Sequence, residues 1–166
     1  PKWEENILYV SINDITLATS PHDKSIEMSL REMFEDEYQI SKIDFNGKNV
    51  LDIGANIGDS SVVFAKAGAK KVYAFEPLPM LHEFLDKNIS INGCKEIIFP
   101  HKVGLSDKNE KIDIWAMSYG SAGASSVLHE VGKRQFQQGY IKQTLEIVEV
   151  ISYLKNNNIS KIDILK

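Results

Sequence analysis

The chain has 166 residues, of which 43% are hydrophobic and 25% are charged, and its formal net charge is −4. These values are typical of one globular domain and argue against a disordered or membrane-embedded chain. The mildly acidic balance, without a run of Lys and Arg, also argues against nucleic acid and membranes as partners. The one cysteine, Cys94, excludes an intramolecular disulfide and a cysteine metal site. No secretion signal is visible, so we expect a cytoplasmic protein without a bound metal.

Residues 1–46 are predicted to form an N-terminal extension that packs on the main domain. Two β-rich runs, Ile7–Ile12 and Ile15–Thr19, flank a turn at Asn13-Asp14 and predict a hairpin. Apolar residues at helical spacing between positions 26 and 34 then predict a helix.

From residue 47 onward, predicted strands and helices alternate. The predicted strands cover residues 49–53, 71–75, 97–103, 111–115, 145–150 and 162–165. The predicted helices cover residues 60–67, 79 to the turn at Asn92-Gly93, and 151–157. This alternation is typical of βαβ units in an α/β domain with a mostly parallel sheet and flanking helices, here residues 47–166.

The segment Asp52–Gly58 has the pattern of a ligand-binding loop. A strand ends at Ile53, two glycines flank a tight turn, and a helix follows, so backbone N–H groups point at the carboxyl edge of the sheet. The dinucleotide fingerprint requires glycines where Asn56 and Asp59 stand, and no Gly-Lys-Ser/Thr phosphate loop is present. Acidic residues at both ends of the loop disfavour a pyrophosphate. They suit S-adenosylmethionine, whose ammonium and sulfonium are positive. Asp52 is expected to favour the methionine end of this cofactor, directly or through water.

Glu76 is the second signal for a cofactor. It lies at the end of the next predicted strand, 18 residues after Gly58. A carboxylate at this position accepts hydrogen bonds from both hydroxyls of a ribose. Glu76 therefore indicates an adenosine-containing cofactor without deciding which one.

Three segments together resemble the FkbM family of methyltransferases. They are Val-Leu-Asp-Ile-Gly-Ala-Asn-Ile-Gly-Asp-Ser-Ser at 50–61, Val-Tyr-Ala-Phe-Glu-Pro at 72–77, and Asn-Ile-Ser-Ile-Asn-Gly at 88–93. A weaker likeness continues through residues 103–107 and 161–166. The resemblance implies a class I, Rossmann-like methyltransferase fold with S-adenosylmethionine as cofactor. It also implies O-methylation of a small-molecule or sugar acceptor.

The resemblance assigns the cofactor site residue by residue. The implied site consists of Asp52, Gly54, Asn56 and Gly58 along the methionine and ribose, Glu76 on the ribose hydroxyls, Pro77 beside the adenine, and Gly104 and Leu105 at the adenine edge. No catalytic residue is implied.

The chain departs from the family pattern in two places. The acidic pair that the family shows where Ser152-Tyr153 stands is absent. The family also continues after Leu165-Lys166 into an Asp-x-Glu-Gly motif and further strands, so we expect a fragment of a longer enzyme with a truncated sheet. Because an incomplete sheet leaves an open edge strand, self-association into a homo-oligomer is also expected.

Other functions and roles stay open at this point. A noncatalytic fragment that binds S-adenosylmethionine, or only packs against a partner, is the main alternative, and an NAD-dependent oxidoreductase is disfavoured by the failed glycine fingerprint. No histidine is assigned as a base: His82 is expected at the surface and His101 in a strand, and His22 carries no specific signal. His129 follows the small-residue loop, and a substrate-facing role for it stays open. The small-residue loop 118–126 is interpreted as a surface loop rather than a lid.

Overall fold

The computed structural model describes residues 7–21, 23, 26, 40–117 and 140–166. The described strands are β1 (Leu8–Ile12), β2 (Ile15–Thr19), β3 (Asn49–Ile53), β4 (Lys71–Phe75), β5 (Ile98–His101), β6 (Gly104–Ser106), β7 (Glu110–Met117), β8 (Tyr140–Glu149) and β9 (Ile164–Leu165). The described helices are α1 (Asp59–Lys66), α2 (Pro79–Ile91) and α3 (Val150–Asn156), with a short 3-10 helix at Ile40–Lys42.

Four parallel strands form the central sheet, in the order β5-β4-β3-β9. The register places Asp52 beside Ala74, and Leu51 beside both Tyr73 and Leu165. Because the strands are parallel, their carboxyl ends meet at one edge, and the segment after β3 lies next to the residue that follows β4. The strand order, with helices on both faces, is the Rossmann-like arrangement that the resemblance implies.

Apolar residues cover both faces of this sheet, which explains why its strands are nearly continuous apolar runs. One face packs against α1 and α2 through residues that include Val50, Val62 and Leu85. The other face packs against α3 and the segment after it, through Leu51, Phe75 and others. The alternation along β3 therefore places Asp52 on the same face as Val50, towards α1.

Residue chemistry sets the helix boundaries. Gly58, in a left-handed conformation at φ 87°, precedes α1, and Pro79 stands at the first position of α2, where its missing N–H costs no hydrogen bond. Gly93, at φ 69°, follows the end of α2. Both helices begin and end within a residue or two of the prediction.

A separate three-stranded sheet, β6-β8-β7, corrects the prediction that strands 111–115 and 145–150 belong to the βαβ pattern. β7 and β8 are antiparallel, from Glu110 opposite Ile147 to Met117 opposite Tyr140. β7 alternates buried Ile114 with exposed Asp113, and such one-sided burial is typical of antiparallel sheets.

The hairpin of β1 and β2 forms as predicted, with Asn13 at φ 53° in its turn. The helix predicted between residues 26 and 34 lies almost entirely outside the described residues, and the loop 118–126 lies wholly outside them. The domain boundary after residue 46 stays a prediction. No helix in the described part of the chain has the length and apolar character needed to cross a membrane.

Candidate cofactor site

The loop after β3 is tied tightly to the end of β4. The backbone N–H groups of Gly54 and Ala55 both donate to the carbonyl oxygen of Phe75, each at 2.9 Å. The N–H of Gly58 donates to the carbonyl oxygen of Ala55 at 2.7 Å, which closes the turn. Gly54, Asn56 and Gly58 all have positive φ, a conformation that strongly favours Gly and Asn.

The two loop glycines serve different purposes. A Cβ added at Gly54 meets no atom within 4 Å, so Gly54 borders open space. A Cβ added at Gly58 comes 2.5 Å from Cδ1 of Leu85, so Gly58 allows α2 to pack closely on the loop. The predicted role of Gly54 in the cofactor site is therefore compatible with the space available, whereas Gly58 is explained by packing.

Glu76 is held rigidly at the end of β4. Its side chain is 5% exposed, and its Oε2 accepts from the N–H of Asn56 at 3.0 Å while Oε1 accepts from the N–H of Leu78 at 2.8 Å. Burial raises the pKa of this carboxyl, against the opposing effects of the two backbone donors and the Lys166 ammonium. Since each carboxylate oxygen has two lone pairs, both oxygens retain capacity for a further donor such as a ribose hydroxyl.

Asp52 is fully buried, at 0% exposure. Its Oδ2 accepts from the hydroxyls of Ser60 at 2.8 Å and Ser61 at 2.6 Å, which fixes the start of α1 to the end of β3. Its Oδ1 lies 2.9 Å from Nζ of Lys166, the residue that follows the neighbouring strand β9. The carboxylate therefore presents no surface to a ligand, and its influence on a bound cofactor passes through the groups that it holds.

Pro77 and Gly104, predicted on the adenine side, lie close to each other. A Cβ added at Gly104 comes 3.6 Å from Cγ of Pro77 and 2.6 Å from Cδ1 of Ile147. Gly104 thus allows the side chain of Ile147, its partner on β8, to pack closely on β6, and Pro77 lies at ordinary contact distance. Leu105 packs against the core cluster that contains Phe75, so the structure gives it a packing role.

The structure corrects the expectation that His82 lies at the surface. His82 is 9% exposed, its Nδ1 lies 3.2 Å from the carbonyl oxygen of Glu76, and burial lowers its pKa. His101 lies in β5 as expected, stacks on Phe75 with ring centroids 4.5 Å apart, and has a pKa that burial also lowers. His22 and His129 lie outside the described residues.

Sequence reasoning missed Lys166 and the serine pair Ser60-Ser61 as partners of Asp52. The serines carried a local signal, because two hydroxyls in the first turn of a helix face the strand that precedes it. Lys166 carried none, since its contact depends on β9 lying next to β3 in the sheet.

Residues 52–166 match the family model of the methyltransferase FkbM domain. The chain belongs to this family. The FkbM domain here has the Rossmann-like fold of S-adenosylmethionine-dependent methyltransferases, and S-adenosylmethionine is its cofactor. An uncharacterized RNA methyltransferase of Oceanobacillus iheyensis is 32% identical over 108 residues, which are 64% of this chain and 23% of that protein. The FkbM domain described here therefore spans about a quarter of the length of the relative that it matches.

Solved structures of methyltransferases resemble parts of the chain. A tRNA methyltransferase of M. jannaschii is 27% identical with a TM-score of 0.44, covering 58% of this chain and 29% of that one. The protein aTrm5, in complex with a leucine tRNA, is 26% identical with a TM-score of 0.45, covering 58% and 28%. A SAM-dependent methyltransferase from Agrobacterium tumefaciens is 15% identical with a TM-score of 0.49, covering 58% and 32%. The fold assignment rests on the strand order and the family match.

The name of the Oceanobacillus relative overturns the expectation that nucleic acid is excluded as a partner. The error has a physical cause. Net charge averages over the whole surface, whereas a nucleic-acid strand is bound by the local field of one groove. A charge of −4 therefore carries no information about one face of the molecule.

Proposed function

We propose that this FkbM domain binds S-adenosylmethionine across the loop Asp52–Gly58 and Glu76, and transfers its methyl group to an acceptor nucleophile. The observation that supports this most is the Glu76 carboxylate. It is buried, fixed by two backbone donors, one in the loop and one at Leu78 just before α2, and adjacent to a loop in which Gly54 borders open space. A side chain fixed in this way can accept both ribose hydroxyls without first being ordered.

The residues present fit the cofactor. Glu76 holds the ribose, and Gly54 and Asn56 hold the methionine end. Oδ1 of Asn56 is buried and has no hydrogen-bond partner among the described residues. Such an orphaned acceptor is costly unless a donor reaches it, and an ammonium group supplies one. Pro77 and Gly104, which lie close to each other, are proposed to flank the adenine.

Bound S-adenosylmethionine supplies an electrophilic methyl group on a sulfonium. The protein's own contribution is orientation: a rigid loop, held by Phe75 and by Glu76, keeps the cofactor in one position so that an acceptor can approach in line. Orientation of this kind can contribute roughly 7–11 kcal/mol to a transfer reaction. We assign no general base, because His82 is buried and His101 is half-buried, burial lowers the pKa of both, and a ring nitrogen of each is engaged by a neighbouring group.

Two acceptor classes have support. The family resemblance favours the hydroxyl of a small molecule or sugar. The relative from Oceanobacillus iheyensis, named as an RNA methyltransferase, favours RNA as the second candidate. The matched region is 23% of the relative, so most of the Oceanobacillus protein lies outside the match.

Calorimetric titration with S-adenosylhomocysteine tests cofactor binding. Glu76→Gln is expected to weaken binding by about 1.5–3 kcal/mol, or about 10- to 150-fold, the scale of hydrogen bonds to charged groups. Asp163→Asn is the matched control, because Asp163 also accepts a backbone N–H, from Asn49 at 2.9 Å, but at the amino end of the strands. Equal affinity of wild type and Glu76→Gln would contradict the proposal.

Radiolabelled methyl transfer then distinguishes the acceptors. The protein is incubated with S-adenosylmethionine labelled on the methyl group, with either total RNA or a small-molecule extract of the source cells. Label in precipitated RNA that ribonuclease releases supports RNA, and label in a low-mass product supports a small molecule or sugar. Cofactor binding without transfer to either leaves the noncatalytic alternative as the better account.

A further inference from the structure

Lys166 lies at the edge of the sheet where the cofactor loop begins. β9 pairs with β3 in parallel register, with Leu165 beside Leu51, so the next residues, Lys166 and Asp52, are neighbours. The Nζ of Lys166 lies 2.9 Å from Oδ1 of Asp52 and 3.4 Å from the carbonyl oxygen of Gly54. One ammonium therefore contacts both the strand end and the loop that follows it.

The Asp52 carboxylate holds Lys166 in this place. A fully buried carboxylate needs a compensating charge, and Ser60 and Ser61 satisfy only Oδ2. Oδ1 has no directed hydrogen-bond partner among the described residues, so the contact with Lys166 is mainly electrostatic. Because Ser60 and Ser61 hold Asp52 in place, the ion pair also fixes the position of the Lys166 ammonium.

The Lys166 ammonium also has spare capacity. Its side chain is 26% exposed, against 0% for Asp52, so the protein does not enclose the lysine completely. An ammonium carries three N–H donors. The described residues give it two contacts, with Asp52 and with the Gly54 carbonyl, which leaves a donor for a ligand beside Gly54.

The charge of the surroundings makes this cation important for an anion. Asp52, Asp59 and Glu76 are all acidic and all lie in or beside the loop. The methionine end of S-adenosylmethionine carries a carboxylate as well as an ammonium, and the three acids would repel that carboxylate. Lys166 places a positive charge at the same edge.

We propose that Lys166 binds the carboxylate of the methionine end of S-adenosylmethionine. The inference rests on the proposed cofactor site and extends it to a residue outside the loop. The zwitterionic end then has two complementary partners, with Asn56 and the Gly54 carbonyl as acceptors for its ammonium and Lys166 as donor to its carboxylate. Lys166 thereby selects an amino-acid-bearing cofactor over other adenosine compounds.

A pair of ligands that differ only in the carboxylate tests the proposal. S-adenosylhomocysteine and its decarboxylated analogue, which keeps the amino group, are titrated by calorimetry into wild type, Lys166→Gln and Lys161→Gln. Lys161 is the matched control, because it pairs with Asp163 at the amino end of β9. We expect Lys166→Gln to weaken S-adenosylhomocysteine about 10-fold or more and the analogue less than about 2-fold. Lys161→Gln is expected to leave both affinities unchanged.

Each other result overturns the proposal in a recognisable way. If Lys166→Gln weakens both ligands equally, Lys166 acts only by supporting Asp52, and the cofactor site itself stands. If wild type binds both ligands equally, the carboxylate has no partner, and this result decides the matter even where Lys166→Gln does not fold. If folded wild type does not bind S-adenosylhomocysteine, the proposed function fails together with this inference.

Discussion

The side-chain amide of Asn88 donates to the carbonyl oxygen of Ile57 at 2.8 Å and to that of Ala18 at 3.0 Å. Its Oδ1 accepts from the N–H of Ala18. Asn88 is completely buried in α2, so one amide joins the cofactor loop to the N-terminal hairpin.

Asn88→Ala is expected to lower both stability and cofactor affinity. It leaves the Ile57 carbonyl and both Ala18 backbone groups without this partner, at about 1–3 kcal/mol for each buried group left unsatisfied. Asn92→Ala is the control, because Asn92 binds the backbone of Thr16 at 2.9 and 2.7 Å and its remaining side-chain hydrogen bond goes to the carbonyl oxygen of Asn88 in α2 rather than to the loop. Urea unfolding and S-adenosylhomocysteine titration should show that both variants lose stability and only Asn88→Ala loses affinity. An equal loss of affinity would mean that the hairpin, not the Ile57 contact, supports the site.

The two loop glycines should respond differently to a methyl group. Both variants pay about 1–2 kcal/mol for a left-handed backbone, since φ is 74° at Gly54 and 87° at Gly58. Gly58→Ala also forces a Cβ against Leu85, so it should be the less stable of the two. Gly54→Ala fills the open space beside the loop and should reduce cofactor affinity the more. Thermal unfolding and titration of both variants check this, and a reversed order of stabilities would refute the packing role of Gly58.

Protonation of Glu76 should weaken cofactor binding at a higher pH than an ordinary glutamate would. Burial raises its pKa above 4.5, and only the ionised carboxylate accepts from both ribose hydroxyls. The affinity for S-adenosylhomocysteine should therefore fall as the pH drops from neutral through this raised value. Titrations across that range on wild type and Glu76→Gln check the prediction, since the variant should show no such step.

The raised pKa of Glu76 also predicts how the stability of the fold depends on pH, and the direction is opposite to that predicted for cofactor affinity. Because the folded pKa of Glu76 exceeds the unfolded one, its stabilising contribution is complete below the unfolded pKa and is lost as the pH rises through the folded pKa. Glu149 provides the contrast: hydrogen bonds from Ser152 and Ile151 lower its pKa, so its contribution is present above the unfolded pKa and is lost on acidification. The free energy of unfolding is measured against pH for wild type, Glu76→Gln and Glu149→Gln. The difference between wild type and Glu76→Gln should change with pH in the opposite direction to the difference between wild type and Glu149→Gln. Parallel slopes would contradict the burial argument.

Ser61→Ala should destabilise the fold through Asp52. The variant removes a 2.6 Å hydrogen bond to a carboxylate with 0% exposure, and hydrogen bonds to charged groups contribute about 1.5–3 kcal/mol. Ser90→Ala, at an exposed position of α2, is the control and should change stability by less than about 0.5 kcal/mol. Urea unfolding measures both, and similar midpoints for the two variants would show that Asp52 does not depend on Ser61.

The parallel sheet was predictable because its signals are local. The apolar runs 49–53 and 71–75 match β3 and β4 residue for residue. The turn that contains Gly54 and Gly58, and the position of Glu76 directly after β4, could be predicted from the same short segments. The family motifs also lie wholly within these segments.

The remaining features depend on contacts between distant segments. Lys166 pairs with Asp52 only because β9 lies beside β3, and His82 is buried only because α2 packs on the end of β4. β7 and β8 were recognised as strands but assigned to the wrong sheet, since the sequence of β8 does not specify its partner. β6 was not predicted as a strand, whereas β9 was correctly placed in the parallel sheet. Nucleic acid was excluded on net charge, which carries no information about one groove.

The docking of the β1–β2 hairpin on α2 depends on a match between the residue spacing of a helix and that of a strand. Residues four apart on a helix rise about 6 Å, and residues two apart on a strand advance about 6.7 Å. Asn88 and Asn92 can therefore bind Ala18 and Thr16 in turn, as a neighbouring strand would. Unpaired strand edges recruit strands from other molecules and so promote aggregation. While the hairpin stays docked on α2, the side chains of Asn88 and Asn92 occupy the free edge of β2. No strand from another molecule can then pair with that edge.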